Sequence, residues 1–102
     1  MFYFVYFDPK EGASRNNIVK AYDKYAEYFG KKVPKFNCLG LYGRNVLLGS
    51  RPHYVAIWEF SHYSDLDEWN KLFGSDKTGQ KLARELRNLT TGWEAKIMTK
   101  LA

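Results

Sequence analysis

Residues 51–60 read RPHYVAIWEF, a run so rich in β-branched and aromatic side chains that neither face of the strand it predicts is plainly meant for water. Successive strand residues point to opposite sides, so Tyr54, Ala56, Trp58 and Phe60 share one face and His53, Val55, Ile57 and Glu59 the other. A strand that is apolar on both sides needs two coverings. What supplies them decides the fold and most of the function.

Upstream of this run, KFNCLGLY at residues 35–42 predicts a second strand, in which Gly40 marks a bulge or a close approach of another chain. The intervening GRNVLLGSRP, residues 43–52, carries the short apolar piece Val46-Leu47-Leu48 and reads equally as a long hairpin connection or as a strand extension. Downstream, Ser64 with Asp67 three residues on forms a capping-box pattern, and Leu66, Trp69, Leu72 and Phe73 make the apolar stripe of a short helix. GSDKTG at residues 74–79 interrupts it. A second helical piece follows, with Leu82, Ala83, Leu86 and Leu89 inward and Lys81, Arg84, Glu85 and Arg87 outward, and Gly92 is expected to close it.

The chain begins with FYFVYF at residues 2–7, apolar on both sides in the manner of a central strand, which Asp8-Pro9 ends. Ser14 then caps a helix whose stripe is Ile18, Tyr22, Tyr25 and Phe29; Gly30 is expected to stop it and Pro34 to prevent its resumption. WEAKIMTKL at residues 93–101 is a last strand, with Trp93, Ala95, Ile97 and Leu101 on the better buried face. The order is that of an α+β ferredoxin-like βαββαβ sandwich, a four-stranded antiparallel sheet with the helices on one face, and residues 1–102 form one domain.

At 102 residues and 45% hydrophobic content, the chain can bury about 65% of its unfolded surface without disulfide or metal. Its one cysteine, Cys38, excludes an internal disulfide and fits a reducing compartment. The short apolar opening lacks a basic leader, and no run approaches the length of a membrane span, so a cytoplasmic protein without a membrane partner is expected. The net charge of +5 is dispersed, its densest groups being Lys31, Lys32 and Lys35, and Lys81, Arg84 and Arg87, a distribution typical of a solvated surface. With both helices on one side, the other sheet face exposes large apolar groups whichever way the strands turn, and patches of that size are rare on monomers. A homodimer through this open face would bury them.

The residues VAIWEF at 55–60, the capped helix bearing Trp69, and SDKTGQKLARELRNLTTGWEAKIM at 75–98 resemble the dimeric α+β barrel superfamily, in particular its NIPSNAP-like and antibiotic-biosynthesis-monooxygenase-like branches. The likeness rests on Trp58, Glu59, Phe60 and Trp69, spans residues 36–101 loosely, and matches the first strand and helix in type only. It implies that a second copy covers the open face. It also implies a ligand between helices and sheet, where Tyr22, Tyr25, Tyr54, Trp58 and Trp69 would converge, with His62 in the adjoining loop. A polar-tipped apolar pocket of this kind suits an aromatic or polyketide-like ligand.

The chemistry is less legible. Haem-binding members of the superfamily carry a histidine on the helix after the third strand; positions 65–73 and 80–89 have none, so no cofactor is expected. His53 reads as a strand-end residue, Cys38 as a small buried one, and neither histidine has a second metal-type ligand at a recognised spacing. Asp65, Asp67 and Glu68 suit a helix N-terminus, and Glu59 suits a pairing with Lys96, Lys100 or an arginine. No catalytic residue is assigned. Three functions stay open: a homodimeric small-ligand protein, acting as a cofactor-independent oxygenase or isomerase if it is an enzyme; an RRM-like RNA or single-strand-binding module, opposed by the missing RNP1 glycine in RPHYVAIW; and a ligand-free dimerisation module.

Overall fold

In the computed structural model, which describes residues 1–45 and 51–102, the central strand β1 (Phe2–Pro9) pairs antiparallel on both sides. On one side lies β3 (Tyr54–Glu59), flanked in turn by β2 (Asn37–Gly43); on the other lies β4 (Thr90–Met98). Helix α1 (Arg15–Lys32) connects β1 to β2, and the pair α2 (Tyr63–Ser75) and α3 (Lys77–Arg87) connects β3 to β4. The sheet order β2-β3-β1-β4 with all pairings antiparallel is the ferredoxin-like arrangement expected from the sequence. Val46-Leu47-Leu48 lies outside the described residues.

The helices cover the face that carries Tyr3, Val5 and Phe7 of β1 and Tyr54, Ala56 and Trp58 of β3, which settles the strand parity. The α1 stripe Ile18, Tyr22, Tyr25 and Phe29 is buried against them as its 3.6-residue spacing requires, together with Trp69 of α2 and Ala83 and Leu86 of α3. Phe2, Phe4, Tyr6, Val55, Ile57 and Met98 share the other face with Glu59, Glu94 and Lys96, since residues opposed across a pair point the same way. No helix of the described residues lies on that side.

Four local expectations are corrected. The first helix passes through Gly30, whose φ is not positive, and ends at Val33, because the residue before Pro34 is pushed out of the α region. Helix α2 begins at Tyr63 with His62 as its N-cap rather than Ser64; the His62 N–H donates to the Asp65 carboxylate at 3.1 Å, so Asp65, not Asp67, is the acidic partner. Gly92 does not close a helix, which already ends at Arg87; it sits at φ +68° where the β1–β4 register slips, and that bulge uses its left-handed conformation. Strand β4 is exposed from Thr91 to Met98 on both faces, because the helix layer does not extend over this edge. Gly40 does mark a bulge, between Cys38 and Gly40 of β2.

Candidate functional site

A cavity of about 480 Å³ lies between the helix layer and the sheet, open towards the uncovered β4 edge. Its floor is Tyr3 and Val5 of β1, Trp58 of β3, and Trp93 and Ala95 of β4. Its roof is Tyr22 and Tyr25 of α1, Trp69 and Phe73 of α2, and Ala83, Leu86 and Arg87 of α3. All three tryptophans of the chain therefore border one space. The volume falls within the range of small-molecule sites, and the walls are mostly aromatic.

The polar groups in this lining are mixed: Trp69 and Arg87 only donate, the Tyr22 and Tyr25 hydroxyls and the Asn70 amide can do both, and Glu94 stands at the edge. Trp58 Nε1 donates to the Tyr22 hydroxyl at 2.9 Å in a fully buried contact, so the Tyr22 oxygen is used as an acceptor and its own proton remains to be given. Trp69 is 8% exposed, and its buried Nε1–H has no hydrogen-bond partner among the described residues. An unsatisfied buried donor is costly and asks for an acceptor. Burial pushes the Tyr22 phenol well above its ordinary pKa, with Tyr25 adding to the effect. Tyr25 is raised as well, by burial first, with the positive Arg87 pulling the other way. Both phenols thus stay protonated at any physiological pH. Arg87 itself is exposed, with its guanidinium carbon 5.5 Å from the Phe73 ring centre.

Of the residues assigned to a ligand site from the sequence, Tyr22, Tyr25, Trp58 and Trp69 line the cavity. Tyr54 and His62 do not. Tyr54 shares the helix-covered face but lies further along it, stacked on Phe7 with Arg15 over its ring at 5.3 Å. His62 is exposed at the start of α2. Cys38 is half-buried on β2, its thiol pKa raised by burial. Glu59 is exposed on the open face next to Phe2, two strands from Lys96, which contacts Glu94 at 3.6 Å within this copy.

One cluster escaped the sequence reading. Asp8, at the end of β1, accepts from the backbone N–H of His53 at 2.8 Å, approaches His53 Nδ1 at 3.2 Å and pairs with Arg51. Arg44 Nη2 stands 3.0 Å from His53 Nε2, a contact in which the guanidinium can only donate. Burial raises the Asp8 pKa and the His53 and Arg51 hydrogen bonds lower it, leaving it below the usual carboxylate value. Beside it, Tyr6, Arg51, Pro52, Glu94 and Lys96 line a second, shallower hollow. The only sequence signal was positional: Asp8 and His53 flank the opposed pair Phe7 and Tyr54. Among the described residues no group of three or more His, Cys, Asp or Glu could hold a metal.

No family model and no curated protein matches the sequence. Solved structures do match. A NIPSNAP family protein of unknown function from Agrobacterium tumefaciens is 25% identical, the match covering 96% of this chain and 86% of that one with a TM-score of 0.64. An uncharacterized NIPSNAP domain protein from Burkholderia xenovorans matches at 12% identity, over 99% of this chain and 94% of that one, with a TM-score of 0.77. A dimeric ferredoxin-like protein of unknown function from Thermobifida fusca matches at 5% identity, over 93% and 85%, with a TM-score of 0.69. The neighbours agree with the NIPSNAP-like, ferredoxin-like superfamily assignment read from the sequence. No helix among the described residues is long and apolar enough to cross a membrane.

Proposed function

We propose that this chain is a homodimeric small-molecule-binding protein, with an aromatic or polyketide-like ligand held between helices and sheet and a second copy covering the open sheet face. The observation that carries the reading is the cavity of about 480 Å³ walled by Tyr22, Tyr25, Trp58 and Trp69. Turnover as a cofactor-independent oxygenase or isomerase would use the same space. Phenols held protonated there serve such chemistry as hydrogen-bond donors or acids, not as bases.

The nucleic-acid alternative loses its platform. Base stacking on such a sheet needs aromatic groups side by side on β1 and β3, but Tyr54 and Trp58 face the helices and the open face of β3 offers Val55, Ile57 and the carboxylate of Glu59. Native mass spectrometry of protein purified without refolding tests the proposal. The expected result is a dimer of the 12.0 kDa chain that retains or accepts small aromatic mass. A monomer that binds none of the aromatic compounds offered would overturn it.

A further inference from the structure

The charged residues of the open sheet face fall in an order. Glu59 lies level with Phe2 at one end of the strands, Lys96 level with Phe4, Glu94 level with Tyr6, and Arg51 at the other end, held by Asp8. Tyr6, Arg51, Glu94 and Lys96 border one shallow hollow, which places Arg51 on this side of the sheet. Its Nε pairs with Asp8 and its Nη2 reaches the Gly92 carbonyl at 3.3 Å, which leaves Nη1 for a further acceptor. Glu59 is exposed, and the contact of Lys96 with Glu94 at 3.6 Å leaves both side chains more than half exposed.

Two sheets stacked in alignment by a twofold axis have two arrangements, because the axis runs either along the strands or across them. An axis along the strands lays β3 on the partner's β1 and β4 on the partner's β2. Glu59 then rests on the partner's Phe2, and Lys96 and Glu94 face a strand that has no charged residue. Charges taken out of water without partners are costly. An axis across the strands, between the levels of Phe4 and Tyr6, lays every strand antiparallel on its own counterpart. Lys96 then meets the partner's Glu94, Ile57 meets the partner's Val55, and Glu59 comes to the end that holds the partner's Arg51, all about one axis. Resting on the dimer reading above, we propose that the copies meet in this second way, in a register set by Lys96 against the partner's Glu94 and Glu59 against the partner's Arg51. The order of the charges is complementary to itself, which fits the face to a second copy of this chain.

The test mixes two variants. Lys96→Glu makes this stretch of β4 wholly acidic and Glu94→Lys makes it wholly basic, so in the proposed register each variant repels a copy of itself and attracts the other. Both substitutions fall on exposed side chains, which the fold tolerates. Each variant alone is expected to dimerise about tenfold more weakly than the parent in sedimentation equilibrium, since like charges brought together across an interface oppose it. Mixed in equal amounts, with one variant isotope-labelled, they should form mixed dimers well above the statistical half in native mass spectrometry. Lys31→Glu, on α1 and away from this face, should dimerise as the parent does. Mixed dimers at the statistical half, or single variants that dimerise as tightly as the parent, overturn the register and leave a dimer through the open face standing. A parent chain that is monomeric overturns the dimer reading, and the register with it.

Discussion

At the scale of single residues, the contact with the clearest consequence is Trp58 Nε1 on the Tyr22 hydroxyl, because both groups are buried and each depends on the other. Replacing Tyr22 by Phe keeps the ring and leaves the indole N–H without an acceptor, a change expected to cost about 1–3 kcal/mol. Urea unfolding of Tyr22→Phe against the parent measures it, and an unchanged midpoint would mean that the bond contributes nothing. The same burial sets an alkaline limit. Tyr22 and Tyr25 have folded pKa values raised above the ordinary phenol value of about 10, so the stability they contribute is complete below that pH and falls as pH climbs past it, when only the unfolded phenols can ionise. Absorbance at 295 nm should therefore show Tyr22 and Tyr25 ionising together with the loss of circular dichroism. Ionisation of all tyrosines before unfolding would contradict this. Residue roles were legible where periodicity dictates them: Tyr22, Tyr25 and Trp69 fall on helical stripes that have to be buried. Tyr54 lies on the foreseen face but outside this lining, because alternation gives the face of a strand and not how far along it a cavity extends.

Among the secondary elements, α1 and α3 meet more tightly than their sequences announce. Gly79, in the first turn of α3, is buried, and a methyl group there would come within 2.6 Å of the Phe29 ring, which is itself wholly buried and has nowhere to go. Gly79→Ala would raise helix propensity on an open surface; here overpacking should dominate and cost about 1–3 kcal/mol. A lower melting temperature for Gly79→Ala, with Gly74→Ala as a helical comparison that meets no neighbour, checks the sign. A stabilised Gly79→Ala would mean that α3 can move away from α1. Nothing in GSDKTG distinguishes a glycine that breaks helices from one that lets two helices touch, which is why the stretch reads as a simple interruption. In the structure Asp76 alone separates α2 from α3, and it caps α3 by accepting from the Gly79 N–H at 2.9 Å and from the Tyr28 hydroxyl of α1 at 2.7 Å. Element order and type followed from hydrophobic period alone. Boundaries did not, because Ser61, His62 and Ser64 all offer capping chemistry and tertiary packing of Asp65 chose between them.

On the scale of the whole molecule, the chain is a slab of about 38 × 38 × 18 Å, one helix layer on one sheet, with a radius of gyration of 13.7 Å. The first question raised by residues 51–60 was what covers Val55 and Ile57, and among the described residues of one copy no helix does: they are half-buried beside their strand neighbours Phe4, Tyr6 and Tyr42. A symmetric partner laid on this face would close a barrel of two sheets and bury Phe2, Phe4, Ile57 and Met98. A standard interface removes about 800 Å² per partner, so the affinity of such a pair would rest on how well these apolar groups pack rather than on area alone. The prediction is therefore made at the centre of the face. Ile57→Lys places a cation where a partner's apolar side chains would lie, and it should convert a dimer into a 12.0 kDa monomer in sedimentation equilibrium with the circular dichroism unchanged. Val19→Lys, on the exposed side of α1, should leave the dimer intact. If Ile57→Lys remains dimeric and Val19→Lys does not, the copies meet through their helices and the open sheet face is not the interface.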